Sequence, residues 1–226
     1  MKSTLSFLAT AFLALTCVFA APTPSQGFYL KLASTNGLLS NAVLRDNNTY
    51  DLGVTPAPYY SNPPYGDHPL PISVSTTNAV ELIVSPTNPH PGPISGRLAL
   101  VSTSAAGDWT LSKSFSSDGV SWNVGSGRDD AQIKVYGWGF EDVAGTGTVL
   151  RWQDGLKGRW IAVKEIVTPW EGAPYERWVV HWLEGKFFLA DIRRDAWILT
   201  HVAASAATPA PATEFAYVDV LVSPTP

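Results

Sequence analysis

The sequence predicts an all-β protein, a two-sheet antiparallel sandwich, with a β-trefoil or closed barrel as the alternative architectures. Three observations lead there. Apolar residues alternate with a period of two rather than 3.6 along the chain. The alternating runs are short and are separated by Gly, Pro, Asn and Asp turn signals. No segment carries the i, i+3, i+4 spacing of an amphipathic helix, and no repeat of fixed period is present.

The elements follow in order. Phe28-Tyr29-Leu30-Lys31-Leu32 reads as a strand, and Gly37 opens a turn before a second one over Leu38 to Leu44. Ten of the 18 prolines then fall between Pro56 and Pro93. Proline fixes φ and removes a donor, so central strands cannot form there. Residues 56–93 therefore read as two long loops around short strands at Ile72–Val74 and Val80–Val84. Arg97 to Val101 is the next strand. Trp109–Phe115 and Val120–Val124 flank Ser116-Ser117-Asp118-Gly119, where Asp-Gly tolerates the positive φ of a type I′ hairpin turn. Strands follow at Ala131–Tyr136, Thr148–Trp152 and Arg159–Val167.

Trp178 to Leu183 leads through Glu184-Gly185 into Lys186-Phe187-Phe188-Leu189, a second predicted hairpin. Trp178, Val180 and Trp182 point one way, and Val179, His181 and Leu183 the other, so this strand is expected to be central and covered on both faces. Residues 203–213 form an Ala/Pro-rich loop. The last strand, Phe215 to Val222, puts Ala216, Val218, Val220 and Val222 on one face and Asp219 on the other.

Residues 1–20 read as a secretory signal peptide: Lys2 gives the positive start, Leu5 to Phe19 the apolar run, and Val18-Phe19-Ala20 the cut. The mature chain, 21–226, is expected to be a single secreted domain, extracellular or associated with a cell wall. The lone cysteine, Cys17, leaves with the leader, so the mature chain has no disulfide, zinc-thiolate site or cysteine nucleophile. Lys2 is one of 15 basic residues, so its loss leaves 14 against 19 acidic residues, a net of −5. With no basic stripe, nucleic acid is a poor partner. No second apolar stretch approaches the roughly 18 residues of a membrane span.

Trp178-Val179-Val180-His181-Trp182, then Phe187-Phe188-Leu189, then Phe215-Ala216-Tyr217-Val218-Asp219-Val220-Leu221-Val222 resembles the end of an uncharacterised family of secreted fungal proteins, a domain of unknown function. The leader, Phe28-Tyr29-Leu30 and Leu39-Ser40-Asn41-Ala42-Val43-Leu44 are similar to further family segments. The resemblance implies secretion and a fungal source, and carries no catalytic residues. It also implies two cysteines at places held here by His181 and Phe215, which leaves this core to packing alone.

Candidate chemistry is sparse. His68, His90, His181 and His201 lack the spacing of a metal site, and no metal or cofactor is expected. His181, between Val179 and Leu183, reads as a packed core or interface histidine. Gly119-Val120-Ser121 lacks the second glycine of a nucleophile elbow, and Gly145-Thr146-Gly147 lacks the rest of a phosphate-binding motif. Arg193-Arg194 reads as an edge or turn pair or a dibasic processing site. Glycoside hydrolysis needs two carboxyls about 5–10 Å apart. Glu165 interrupts the apolar Ile161, Val163, Val167 face, and Asp154, Glu171 and Glu176 are near in sequence.

All nine tryptophans lie between Trp109 and Trp197. Indole faces stack on sugar rings and also serve protein interfaces. Trp138, between Gly137 and Gly139, and Trp170, between Pro169 and Glu171, are expected on loops and are the candidate ligand-binding residues. Asn47-Asn48-Thr49 makes Asn47 a candidate N-glycosylation site. The expected function is non-enzymatic binding of a glycan or protein at a cell wall or host surface. The alternatives are a glycan-active hydrolase using Glu165 with a second carboxylate, and a protein-interaction or effector-like protein.

Overall fold

A computed structural model describes residues 27–46, 51–54, 68–84, 96–103, 107–116, 121–124, 130–153, 157–167, 174–184 and 215–224. Among them the strands are β1 (Phe28–Ala33), β2 (Arg45–Asp46), β3 (Leu52–Val54), β4 (His68–Pro69), β5 (Ile72–Val74), β6 (Leu82–Val84), β7 (Gly96–Ser102), β8 (Asp108–Ser114), β9 (Ile133–Lys134), β10 (Trp138–Val143), β11 (Gly147–Trp152), β12 (Gly158–Val167), β13 (Tyr175–Glu184), β14 (Phe215–Tyr217) and β15 (Asp219–Pro224). No helix is long and apolar enough to cross a membrane among the described residues.

The fold is all-β and antiparallel. The strands form one continuous sheet in the order β10-β11-β15-β1-β5-β6-β7-β8-β13-β3-β2-β4, with β12 added to β13 and β14, and β9 to β7. Among the described residues the sheet is not closed into a barrel, which removes the closed-barrel alternative. It folds over to make the layers of a sandwich. Trp138 of β10 donates its Nε1–H to the Leu98 carbonyl of β7, far away in strand order, at 3.1 Å. Phe28 of β1 meets Phe140 of β10 edge-on at 5.9 Å. The last segment makes the turn between layers: β14 pairs with β12, and after Val218 the chain continues as β15 between β1 and β11. A strand that changes partners at a bend is how sandwich corners are built.

One core fills the space between the layers. Leu30 and Leu32, Leu98 and Leu100, Trp109 and Leu111, Trp160 and Ala162, and Val180 and Trp182 all point into it. Their alternate neighbours face outward, as the period of two requires. Each fully buried large apolar side chain stabilises the fold by roughly 1.5–3 kcal/mol. A smaller cluster of Ala99, Val101, Val124 and Val135 sits on the outer face of β7.

Several elements differ from expectation. Leu38 to Leu44 is not a strand. Asn36 accepts from Leu38 N through Oδ1 and from Leu39 N and Ser40 N through its carbonyl, and Asn41 takes a φ of 61°. Asn side chains compete with strand pairing by bonding the local backbone. Of Val120–Val124 the described residues, 121–124, contribute a single bridge, Phe115 to Asn123, and Ala131–Tyr136 contributes the two residues of β9 and a bridge from Tyr136 to Glu81. β10 was hidden by Gly137 and Gly139, which read as loop residues. β13 is central as expected, but its described partners are β12, β8 and β3, and Lys186–Leu189 lies outside the described residues.

Candidate functional site

Trp138 requires a correction. It does not sit on a loop but opens β10, and it is 1% exposed. Its indole meets Trp152 edge-on at 4.9 Å and lies parallel to Trp160 at 6.4 Å. Trp160 meets Trp182 at 4.8 Å and donates Nε1–H to the Leu150 carbonyl at 2.8 Å. The glycines beside Trp138 serve close packing, since Gly139 lies under the Gln153 side chain. The tryptophan cluster of this half of the chain is therefore core. Trp170, Asn47, Asp154, Glu171, His90, His201 and Arg193-Arg194 lie outside the described residues. Gly145 and Gly147 take positive φ values of 78° and 107° in the β10–β11 hairpin turn, which explains the Gly145-Thr146-Gly147 fragment.

The chemistry instead gathers on the outer face of β8, β13 and β12. Trp109 and Leu111 of β8 point into the core, so Asp108, Thr110 and Ser112 face outward. Across the ladder Thr110 is opposite His181 and Asp108 opposite Leu183. His181 is in turn opposite Ile161 of β12, and Glu165 is further along the same face. His181, 6% exposed, places Nδ1 2.9 Å from Asp108 Oδ1. Its Nε2 faces Glu165 Oε1 at 3.3 Å, an ion-pair distance without the alignment of a hydrogen bond. Thr103 Oγ1 donates to the other Asp108 oxygen at 3.0 Å. Alongside, Ser112 Oγ donates to Asp51 Oδ1 at 2.6 Å, and the fully buried Arg177 donates from Nη2 to the Arg45 carbonyl at 2.6 Å.

The electrostatics of this line are one-sided. Burial alone would push the His181 pKa down, because it penalises the charged ring. The Asp108 hydrogen bond and the facing Glu165 carboxylate outweigh that and push it from 6.5 up to about 10. His181 is therefore an imidazolium at neutral pH, with no lone pair to act as a base. Its two nitrogens address carboxylates on opposite sides of the ring. That is an ion-pair relay and not a chelate: among the described residues no three His, Cys, Asp or Glu side chains are grouped to hold a metal.

Glu165 keeps a 42% exposed side chain on this face. The register does not bring Glu176 to it. Ile166 is opposite Glu176 and Glu165 opposite Arg177, so the two glutamates project from opposite faces, and Glu176 pairs with Lys164 at 2.9 Å. Positions 181 and 215 share the outer face but lie on opposite sides of β12. Two strand spacings put them about 10 Å apart, beyond the Cα separation a disulfide spans. At the far edge of this face the Arg159 guanidinium stacks 3.2 Å above the Tyr217 ring. Sequence reasoning found Glu165 and the burial of His181, but missed Asp108. The signal was present in the polar alternation of Asp108, Thr110, Ser112 and Ser114 beside Trp109 and Leu111.

Comparison with protein-family models, with curated proteins and with solved structures finds no match for this chain.

Proposed function

We propose that this is a secreted fungal protein that binds, without catalysis, a glycan or another component of a cell wall or host surface through the end of the β12–β13 hairpin. The observation that carries this reading is Ile166, 74% exposed opposite the exposed Glu176, near the end of two ten-residue strands whose other apolar side chains, among the described residues, are buried or partly buried. An aliphatic side chain left so far in water, on arms anchored in the core, supports reading the hairpin end as a contact surface on a rigid support. By sequence the connection between these arms carries Pro169-Trp170-Glu171-Gly172, and an indole there adds the aromatic contact that sugar rings and protein surfaces both use.

The test incubates the mature protein with insoluble chitin, β-glucan and mannan and measures depletion from solution and sugar released. Depletion without release, lost in Ile166→Ser and Trp170→Ala, is the expected result. No depletion from any of the three rejects glycan binding and turns the search to a protein partner.

The second reading, a glycan-active hydrolase, is favoured by the exposed Glu165 carboxylate held against an imidazolium. Against it, both oxygens of Asp108 are engaged, by His181 and Thr103, and Glu176 faces the other way. Sugar release that disappears in Glu165→Gln would establish it.

A further inference from the structure

We infer that the Asp108–His181–Glu165 line is a proton-dependent latch, which fastens the β12–β13 hairpin to β8 while His181 is protonated and loosens it on the alkaline side. The ladder explains why a latch matters at this point. β13 pairs with β12 over all ten residues, from Tyr175 opposite Val167 to Glu184 opposite Gly158. Among the described residues it pairs with β8 over three, His181, Trp182 and Leu183, and with β3 over two, Trp178 and Val179. On its other side β12 pairs with β14 over three residues, so among the described residues the long hairpin is joined to its neighbours by short ladders, and His181 lies in one of the two longest.

One of the two ion pairs, His181 to Asp108, spans that joint, and the other, His181 to Glu165, lies between the two strands of the hairpin. Asp108 belongs to β8, His181 to β13 and Glu165 to β12, so one buried ring ties three neighbouring strands by charge. Among the described residues the other charged groups on this face of the three strands are Arg159 of β12 and Arg177 of β13, with Asp51 beyond, on Ser112. Of all these, Asp108 and Glu165 are the ion-pair partners of the ring. A neutral imidazole carries one N–H. With that proton donated to Asp108, its other nitrogen would present a lone pair to the Glu165 carboxylate, and attraction would become repulsion. Loss of the proton therefore leaves only a neutral-donor hydrogen bond to Asp108 across the joint, between two buried groups whose charges are poorly screened, and sets the ring against Glu165 within the hairpin.

The consequence for binding rests on the preceding reading, because the hairpin that the latch fixes is the one carrying Ile166. Binding at the hairpin end then weakens as the latch opens, since a loosened arm must be reordered on contact. The latch itself does not depend on that reading.

The experiment uses the mature protein. Imidazole nitrogen NMR is recorded between about pH 5 and pH 10, together with amide hydrogen-exchange protection of β12, β13, β1 and β15. His181 is expected to keep both nitrogens protonated at about pH 8, where an unperturbed histidine is neutral. Protection of β12 and β13 relative to β1 and β15 is expected to fall about tenfold or more between about pH 7 and pH 10. That ratio should stay constant with pH in His181→Gln. A His181 that titrates at the unperturbed position, or a wild-type ratio that does not change, overturns the latch. The wild-type measurements decide the matter if the variant does not fold. Polysaccharide depletion at both ends of the range is scored separately. Absence of depletion at every pH rejects the binding reading and leaves the latch standing, whereas depletion that is unchanged across the titration of His181 overturns their coupling.

Discussion

Adding one methyl group at Gly158 tests the packing of the tryptophan core directly. Gly158 opens β12 opposite Glu184. A Cβ at this position would stand 2.3 Å from Cε2 and 2.5 Å from Cζ2 and Nε1 of Trp182. Carbon atoms in contact sit about 3.5–4.0 Å apart, so the indole must retreat by about 1 Å or more. It has little room to do so. Trp182 is 2% exposed and lies edge-on to Trp160, which is parallel to Trp138. Both of those rings are pinned by their Nε1–H bonds, to Leu150 and Leu98. Overpacking costs about 1–3 kcal/mol in general. A displacement that has to pass along a row of fixed rings belongs at the upper end, about 3 kcal/mol. At roughly 2–4 °C per kcal/mol for a domain of this size, Tm should fall by about 6–12 °C. Urea unfolding followed by tryptophan fluorescence, with thermal unfolding followed by near-ultraviolet circular dichroism, measures both quantities. Gly37→Ala is the control, since a Cβ there meets nothing within 4 Å. It should be neutral or raise stability by about 0.4–1 kcal/mol through the unfolded chain. A Gly158→Ala protein within about 0.5 kcal/mol of wild type would refute the packing argument.

Trp138→Phe should cost about 2–4 kcal/mol, through lost volume and an unsatisfied Leu98 carbonyl in the core, while depletion by polysaccharide is unchanged under folding conditions. Loss of binding at full stability would return Trp138 to the ligand-binding residues. The His181 line also makes global stability depend on pH. Its folded pKa, about 10, is raised above the 6.5 of the free side chain. The stabilisation is therefore fully present below about pH 6.5 and is lost as pH rises through about 10. At about 1.4 kcal/mol per unit the whole effect is on the order of 3–5 kcal/mol. Urea midpoints should fall across that window in wild type and stay level in His181→Gln; equal slopes in the two proteins would contradict the assignment. Finally, a mature chain beginning at Ala21 contains no cysteine, so its Tm should be the same with and without reductant. A drop on reduction would show that Cys17 remains and that the cleavage is placed wrongly.

The strands that alternation marked are those buried on one or both faces. Phe28–Leu32, Arg97–Val101, Thr148–Trp152, Arg159–Val167 and Trp178–Leu183 all lie within observed strands, and Trp109–Phe115 overruns β8 by one residue. β2, β3 and β4 span two or three residues each, too few for a period to be seen. β10 hid because its first residues, Trp138-Gly139, sit among glycines. Those glycines give room to the core and do not make a loop. Leu38–Leu44 misled in the opposite sense: its apolar content was real, since Leu39 and Leu44 are buried, but Asn36 and Asn41 bend the backbone into a turn. For the candidate site, the sequence exposed Glu165 as a polar break in an apolar face and His181 as a histidine inside a strand. It could not join them to Asp108, which is 73 residues from His181 in the chain.

By itself the sequence determined the class of secondary structure, the central and doubly covered place of β13, and the shared face of Trp178, Val180 and Trp182 that the core takes up. These follow from local alternation and from the cost of leaving large apolar side chains in water. Tertiary structure alone decided the order of the strands, the partner change at Val218, the burial of Trp138 and the meeting of Asp108, His181 and Glu165. Each of these depends on which strands lie side by side. Pairing is a long-range outcome of packing and register, and an individual strand carries no mark of its neighbour.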